Sequence, residues 1–257
     1  MTYSKIVQTD EAKSLVSSSL FSLLSINVRS LNAHSDILNQ LIDDINSPTV
    51  LALQEIWNCK DSSLIIPSYH HVTKMRQKCN GGGVGIWVKS TLKNYSDDSL
   101  ENLSLNCVEM VHRIIEQNNT KILTISLYRP PNANFQSSLN DFRKILDACD
   151  RLQLKTYITG DCNINLLDHN SGAKRYLDVL QSFSYAQLVQ APTRFSKKSI
   201  TLIDHTLVND KVQATSYVVN ATVADHLAVL TVSNHKKRKP STNKQEIQSF
   251  QTIDSEE

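Results

Sequence analysis

The chain has 257 residues, 40% hydrophobic and 20% charged, with a formal net charge of +2, which is the composition of a soluble globular protein large enough for one α/β domain or two small ones. That charge is too small to act alone as an electrostatic funnel, and it neither demands nor excludes nucleic acid. No apolar run reaches eighteen residues, Leu15–Leu24 is broken by serines without a basic lead, and the five cysteines (Cys59, Cys79, Cys107, Cys149, Cys162) form no C-x-x-C pair, which argues against a membrane span, a secretory signal, a disulfide framework and a zinc site.

The elements follow in order. Residues 1–20 read as a polar lead, and FSLLSINV (Phe21–Val28) is a short apolar run bounded by serines, as a strand buried on both faces should be. Ile37, Leu38, Leu41, Ile42 and Ile45 fall at helical spacing, and Pro48 stops the pattern. TVLALQ (Thr49–Gln54) is a second strand, ending at Glu55. GGGVGIWVK (Gly81–Lys89) reads as a glycine turn entering a half-buried strand on which Val84, Ile86 and Val88 alternate; it lacks the spacing of a phosphate loop.

Two alternating segments, Cys107–Ile115 and Lys121–Tyr128, look like an antiparallel pair joined at QNNT, and YRPPN ends it because two prolines cannot continue a ladder. Phe135, Leu139, Phe142, Ile145, Leu146 and Cys149 mark an amphipathic helix leading into the strand KTYITGD, which should halt at Gly160. Tyr176, Leu177, Leu180 and Phe183 suggest another helix before the loop QAPTRFSKKS. TLIDHTLVN, TSYVVNATV and LAVLTV supply three closing strands. Helix crossovers mixed with hairpins suit an α/β, four-layered sandwich, two mixed β-sheets packed face to face with helices outside. The packed domain is expected over residues 21–235. After it, KKRK (Lys236–Lys239) opens a polar tail, 236–257, that reads as linker; the basic run suits a nuclear-import signal, a phosphate contact or a solvated domain edge.

Polar residues terminate the apolar runs: Asn27, Glu55, Tyr128, Asp161, Asn163, Asp204, and the pair Asp225 and His226. Taken singly, each suits a turn, a surface acid or a structural histidine better than a site. Taken together, carboxylates, amides and one histidine without cysteine ligands describe a site for a hard, oxygen-loving cation acting on a phosphate ester.

The ordered blocks SINVRSLN, LQEIW, YRPPN, GDCNIN, LIDHTLVN and ADHLAV resemble the endonuclease/exonuclease/phosphatase superfamily, and most closely the apurinic-like endonuclease domain of LINE-type (non-LTR) retrotransposons. The resemblance implies a Mg²⁺-dependent endonuclease, with Mn²⁺ as a substitute, that nicks one strand of duplex DNA and leaves a 3′-hydroxyl to prime reverse transcription. It also implies a reverse transcriptase following in the full-length protein, and it goes with expectations of a monomer, no membrane partner and nuclear localisation. Glu55 would ligate the metal, with Asn27 and Asp225 beside it; Asp161 and Asn163 would position the attacking water and the scissile phosphate. Tyr128 would donate to a phosphate oxygen, and His226 would contact the phosphate or act as acid/base, oriented by Asp204. Arg29, Arg194, Lys197 and Lys198 are the candidate DNA contacts. Two departures stand out: Arg29 occupies a position where repair enzymes of the superfamily tend to carry an acid, and Ala224 replaces the serine usual in the closing SDH block. The rival readings are an apurinic/apyrimidinic repair endonuclease, a phosphatase of small or lipid phosphoesters, and a catalytically inactive DNA- or protein-binding module.

Overall fold

The computed structural model describes residues 6–59, 61–76, 81–197 and 199–233. In chain order the elements are β1 (Ile6–Val7), α1 (Thr9–Ser18), β2 (Phe21–Asn27), α2 (Leu31–Asp44), β3 (Val50–Gln54), α3 (Asp61–Leu64), β4 (Tyr69–Lys74), β5 (Val84–Lys89), β6 (Lys93–Tyr95), α4 (Asp98–Glu101) and β7 (Glu109–Gln117). Then come β8 (Thr120–Tyr128), α5 (Phe135–Leu152), β9 (Lys155–Asp161), α6 (Ser171–Ser182), β10 (Tyr185–Gln187), β11 (Arg194–Phe195), β12 (Ile200–Thr201), β13 (Asp204–Asn209), β14 (Thr215–Val223) and β15 (His226–Ser233).

Among the described residues the strands form two mixed sheets. One has the order β1-β14-β15-β2-β3-β5-β4, with β11 on β15 and β12 on β11; the other runs β10-β13-β9-β8-β7-β6. Parallel pairs occur where a helix supplies the crossover, β2 with β3 through α2 and β8 with β9 through α5. Hairpins such as β7–β8, joined at the left-handed pair Asn118 and Asn119, supply antiparallel ones.

The layers follow from which face each side chain takes. Phe21, Leu23, Val50, Ala52, Ile86, Val111, Ile122 and Tyr157 pack between the sheets. Leu24, Ile26, Leu51, Leu53 and Trp87, on the opposite face of their sheet, meet Ala12 and Val16 of α1 and Leu38, Leu41 and Ile42 of α2. Leu123, Ile125 and Ile158 of the second sheet meet Phe142 and Ile145 of α5 and Tyr176 and Leu180 of α6. The expected four layers are therefore present. Both faces of each central strand are covered, so these strands read as continuous apolar runs rather than alternating ones. Helix starts are capped: Asn134 Oδ1 accepts from Ser137 N at 2.9 Å and Asn170 Oδ1 from Ala173 N at 2.9 Å.

Several details differ from the sequence reading. The lead expected over residues 1–20 contributes β1, which pairs in parallel with β14, and α1, whose Ala12 and Val16 are buried; its serines lie on the exposed side and mask that narrow stripe. Ile37 and Leu177 are exposed, because the buried face of α2 is centred on Leu38, Leu41 and Ile42 and that of α6 on Tyr176, Val179 and Leu180. All of Val84–Val88 is buried rather than alternating, since α2 and α3 cover the second face, where Trp87 Nε1 donates to Leu64 O at 2.8 Å. β9 does not halt at Gly160 but runs through Asp161. The loop at Arg194–Ser199 is part of a short hairpin, β11–β12. The tail and its KKRK run lie outside the described residues. Among these residues no helix is long and apolar enough to cross a membrane, and Cys107, Cys149 and Cys162 are free thiols.

Candidate active site

Strand direction brings the polar ends together. Asn27, ending β2, registers with Gln54 at the end of its parallel neighbour β3, so Glu55 emerges on the same edge. In the second sheet Asp161 at the end of β9 registers with Tyr128, which ends β8, and with Asp204, which opens the antiparallel β13. His226 opens β15, antiparallel to β2, so it too starts at this edge. The backbone leaves the sheets through left-handed residues there: Arg29 (φ 41), Glu55 (φ 51), Trp57 (φ 59), Asn163 (φ 47) and Ala224 (φ 60). Non-glycine residues in that region are uncommon, and such strain gathers where geometry serves function.

Side chains then cross the gap between sheets. Asn27 Nδ2 donates to Glu55 Oε1 at 2.9 Å and to Asp161 Oδ2 at 2.8 Å. The second bond joins one sheet to the other. Asp204 accepts from His226 Nδ1 at 2.9 and 3.1 Å, a second cross-sheet tie that leaves Nε2 as the unengaged ring nitrogen, 4.0 Å from Asp225 Oδ1. Asn27, Asp161, Asp204 and His226 are buried, Tyr128 is 5% exposed, and Glu55 is half-buried.

Electrostatics follow from that burial. Burial, and then the charge of Asp204, push the Asp161 carboxyl up to about 7 against the opposing pull of His226, Asn27 and the Asn163 N–H. Burial pulls the His226 imidazole down, but the adjacent Asp204 outweighs it by charge and hydrogen bond, with Asp161 and Asp225 adding, and raises it to about 9. Burial, then the charges of Glu55 and Asp161, push the Tyr128 phenol well up, so it stays a neutral donor. Asp225 is lowered: burial pushes it up, but Arg194, His226 and Arg29 pull harder.

Glycine is required at one point. Gly160 has φ 147, and a Cβ there would overlap the Leu127 carbonyl oxygen on β8. This close approach sets Asp161 beside Tyr128. Asn163 folds back: its N–H bonds Asp161 Oδ1 at 2.9 Å and its side-chain amide donates to Arg129 O at 2.9 Å. Asn165 is structural, accepting from Leu167 N and Leu202 N.

Four residues escaped the sequence reading. Trp57 Nε1 donates to Glu55 Oε2 at 3.2 Å. Thr193 Oγ1, fully buried, accepts from Asp204 N at 3.1 Å and fixes the start of β13. Arg129, 4% exposed, reaches Ser138 Oγ at 2.9 Å, Ala133 O at 2.7 Å and Asn163 O at 3.3 Å, stitching the YRPPN and GDCN blocks. Gln54 donates to Ser126 Oγ at 3.0 Å between the sheets. Trp57, Thr193 and Arg129 stand inside the quoted blocks or beside them, which was the available signal; Gln54 looks like any strand residue.

The candidate DNA contacts divide. Lys197 is exposed at the turn of the β11–β12 hairpin, while Lys198 lies outside the described residues. Arg29 and Arg194 instead bind Asp225 from two sides, Arg29 Nη1 at 3.1 Å and Arg194 Nε and Nη2 at 2.8 Å.

The donor set fits a hard divalent cation. The hydrogen-bond partners of Glu55 and Asp161 are neutral groups, and Asp161, Asp204 and His226 offer ligand atoms within 4.8 Å of one another. With Nδ1 held by Asp204, the carboxylates are the better ligands. A cavity of about 1090 Å³ opens at the far ends of β13 and β15, near Asn209 and Ser233, and touches none of these groups. Side-chain chemistry, rather than cavity size, marks the site.

The two mixed sheets packed face to face are a fold shared with solved structures, among them an endonuclease/exonuclease/phosphatase family protein from Bacteroides thetaiotaomicron, at 13% identity and TM-score 0.62 over 82% of this chain and 96% of that one. Residues 122–230 match the family model described as endonuclease-reverse transcriptase. Among solved structures, the endonuclease domain of TRAS1, a telomere-specific non-LTR retrotransposon, is similar at 14% identity and TM-score 0.68, covering 83% of this chain and 98% of that one. The catalytic domain of Xenopus laevis APE2 matches at 15% identity and TM-score 0.61 over 82% and 91%. D. rerio TDP2 complexed with single strand DNA product matches at 12% and 0.63 over 82% and 97%. These findings bear out the resemblance read from the sequence. No match was found among curated proteins.

Proposed function

We propose that the protein is a Mg²⁺-dependent endonuclease that nicks one strand of duplex DNA and leaves a 3′-hydroxyl for target-primed reverse transcription. The observation that carries this reading is the cross-sheet assembly of buried Asn27, Asp161, Asp204 and His226 with half-buried Glu55 at one edge of a fold shared with nucleases. The name of the matching family model and the TRAS1 likeness favour the retrotransposon branch. A reverse transcriptase in the same full-length protein, duplex DNA as partner, a monomeric state and a nuclear location belong to the same reading.

Hydrolysis needs an in-line water, charge neutralisation on the phosphate, and stabilisation of the leaving oxygen. Water attacks phosphorus and the bond to the 3′ oxygen breaks, so the products are a 3′-hydroxyl and a 5′-phosphate. Asp161, whose raised pKa suits proton uptake near neutrality, accepts the water's proton, with Asn163 fixing the carboxylate through its backbone N–H. His226, held cationic by Asp204, presents Nε2–H to a phosphate oxygen. Tyr128 donates from a phenol kept neutral by burial. Glu55, with Asn27 alongside, would hold a divalent cation, which would supply Lewis-acid stabilisation of charge on the phosphate.

Nicking of supercoiled plasmid in Mg²⁺ and in chelator, with the ends mapped, tests the reading. Absence of cation-dependent nicking, or 3′-phosphate ends, would overturn it. Preference for an abasic site by orders of magnitude would replace it with the repair reading.

A further inference from the structure

We infer that Asp225 is not a metal ligand in this chain: Arg29 and Arg194 neutralise it in place of a cation, so the active site holds one divalent ion, on the Glu55 and Asp161 side. This deepens the reading of the site as a metal-dependent phosphodiesterase and rests on it.

The geometry points this way. Each oxygen of Asp225 is taken by a guanidinium, Oδ1 by Arg29 Nη1 at 3.1 Å and Oδ2 by Arg194 Nε and Nη2 at 2.8 Å. Three segments meet there: the β2–α2 loop, β11, and the turn before β15. Backbone fixes the meeting, since Phe195 N donates to Asp225 O at 3.3 Å and Leu227 N to Thr193 O at 2.7 Å, one residue to either side of Arg194 and two residues past Asp225. Arg29, Asp225 and Arg194 thus come from separate segments at one end of neighbouring strands of the same sheet, β2, β15 and β11.

Charge counting decides where a dication goes. Asp225 with two arginines sums to one net positive charge, and a divalent ion placed there would meet two guanidiniums at close range. Asp204 is matched by His226 in a hydrogen-bonded pair. Glu55 and Asp161 remain, and their hydrogen-bond partners are neutral: Asn27 for both, the Trp57 indole for Glu55, the Asn163 backbone N–H for Asp161. Asp161 is the proton acceptor of the proposed reaction, so Glu55 is the carboxylate left to hold one divalent ion. The side chains of Arg29 and Arg194 are 46% and 34% exposed, so the pairing holds position through its network rather than through deep burial.

The test is the number of Mn²⁺ ions bound per full-length chain, followed by electron paramagnetic resonance and calorimetry, with circular dichroism for folding. One ion is expected in the parent. Glu55→Gln should weaken it by at least about tenfold, whereas Asp225→Asn should change its affinity by less than about threefold. Arg29→Asp combined with Arg194→Ala leaves two carboxylates without guanidiniums and should create a second Mn²⁺ site. Two ions in the parent, a tenfold or greater loss in Asp225→Asn, or a folded double variant that still binds one ion would overturn the inference. No Mn²⁺ binding at all would overturn the metal reading itself, which separates the two failures.

Discussion

At the residue scale the site works through charge placed where water cannot compensate. Glu55 is half-buried and anchored by Asn27 and Trp57, so Glu55→Gln preserves the shape and removes the charge. Nicking at limiting Mg²⁺ should drop by roughly a hundredfold or more while the thermal transition stays put; unchanged nicking would remove Glu55 from the site. Asp204 and His226 form a unit, since the carboxylate grips Nδ1 at 2.9 and 3.1 Å and leaves Nε2 to act. Asp204→Asn and His226→Ala should each lower single-turnover cleavage by roughly 10²–10⁴-fold, with the double variant little worse than either single. Additive losses in folded proteins would show two independent groups.

At the element scale, short extensions from the sheets project beyond the polar edge. The β11–β12 hairpin projects Lys197 at a turn closed by Ser196 N to Ser199 O at 2.9 Å, and exposes Phe195 and Ile200 on its strands. It is tied to the site through the Arg194–His226 register. Lys197→Ala should weaken DNA binding and lower the slope of log affinity against log salt by about one, as expected for one lost phosphate contact. Equal slopes for variant and parent would place the hairpin in solvent. α2 and α5, by contrast, serve the site indirectly, as the crossovers that make β2 and β3, and β8 and β9, parallel, so that their polar ends emerge on one side.

For the whole molecule, the cross-sheet ties make folding and protonation interdependent. His226 has a folded pKa of about 9, above its ordinary 6.5. Its contribution to stability is therefore complete below about pH 6.5 and is lost as pH rises through 9. Asp161, raised to about 7, acts in the same sense: folding favours its protonated form, so stability falls as pH rises from about 4 through 7. In chelator the melting temperature should fall between pH 6.5 and 9.5, by an amount on the order of 2 kcal/mol in stability for the histidine pair. His226→Asn should flatten that slope. Added Mn²⁺ should recover stability most at the higher pH, where the ion favours the carboxylate form of Asp161. A parent profile as flat as that of His226→Asn would show that the pair is not charged in the folded state.

Much of this was legible in the chain itself. Apolar runs covered on both faces have a signature independent of their neighbours, so β2, β3, β8, β9 and β15 could be read directly, as could the polar residues that end or begin them. Helical spacing located α2, α5 and α6 but misjudged their phase at Ile37 and Leu177, because the edge of a stripe is settled by what packs on it. The edge strand β4, with mostly polar, part-exposed residues, and helix α1, with its serine-rich outer side, carried too little periodicity to be seen. Sequence named Asn27, Glu55, Asp161, Asp204 and His226 without deciding who touches whom. That was left to the packing of one sheet on the other, which joins Asn27 to Asp161 and Asp204 to His226 across 134 and 22 residues of chain. Strand pairing within one sheet gave Arg29 and Arg194, candidate DNA contacts by sequence, a shared partner in Asp225. A side chain's type is written locally, but its charge state and its partner depend on burial and on groups remote in sequence, and only the folded chain sets those.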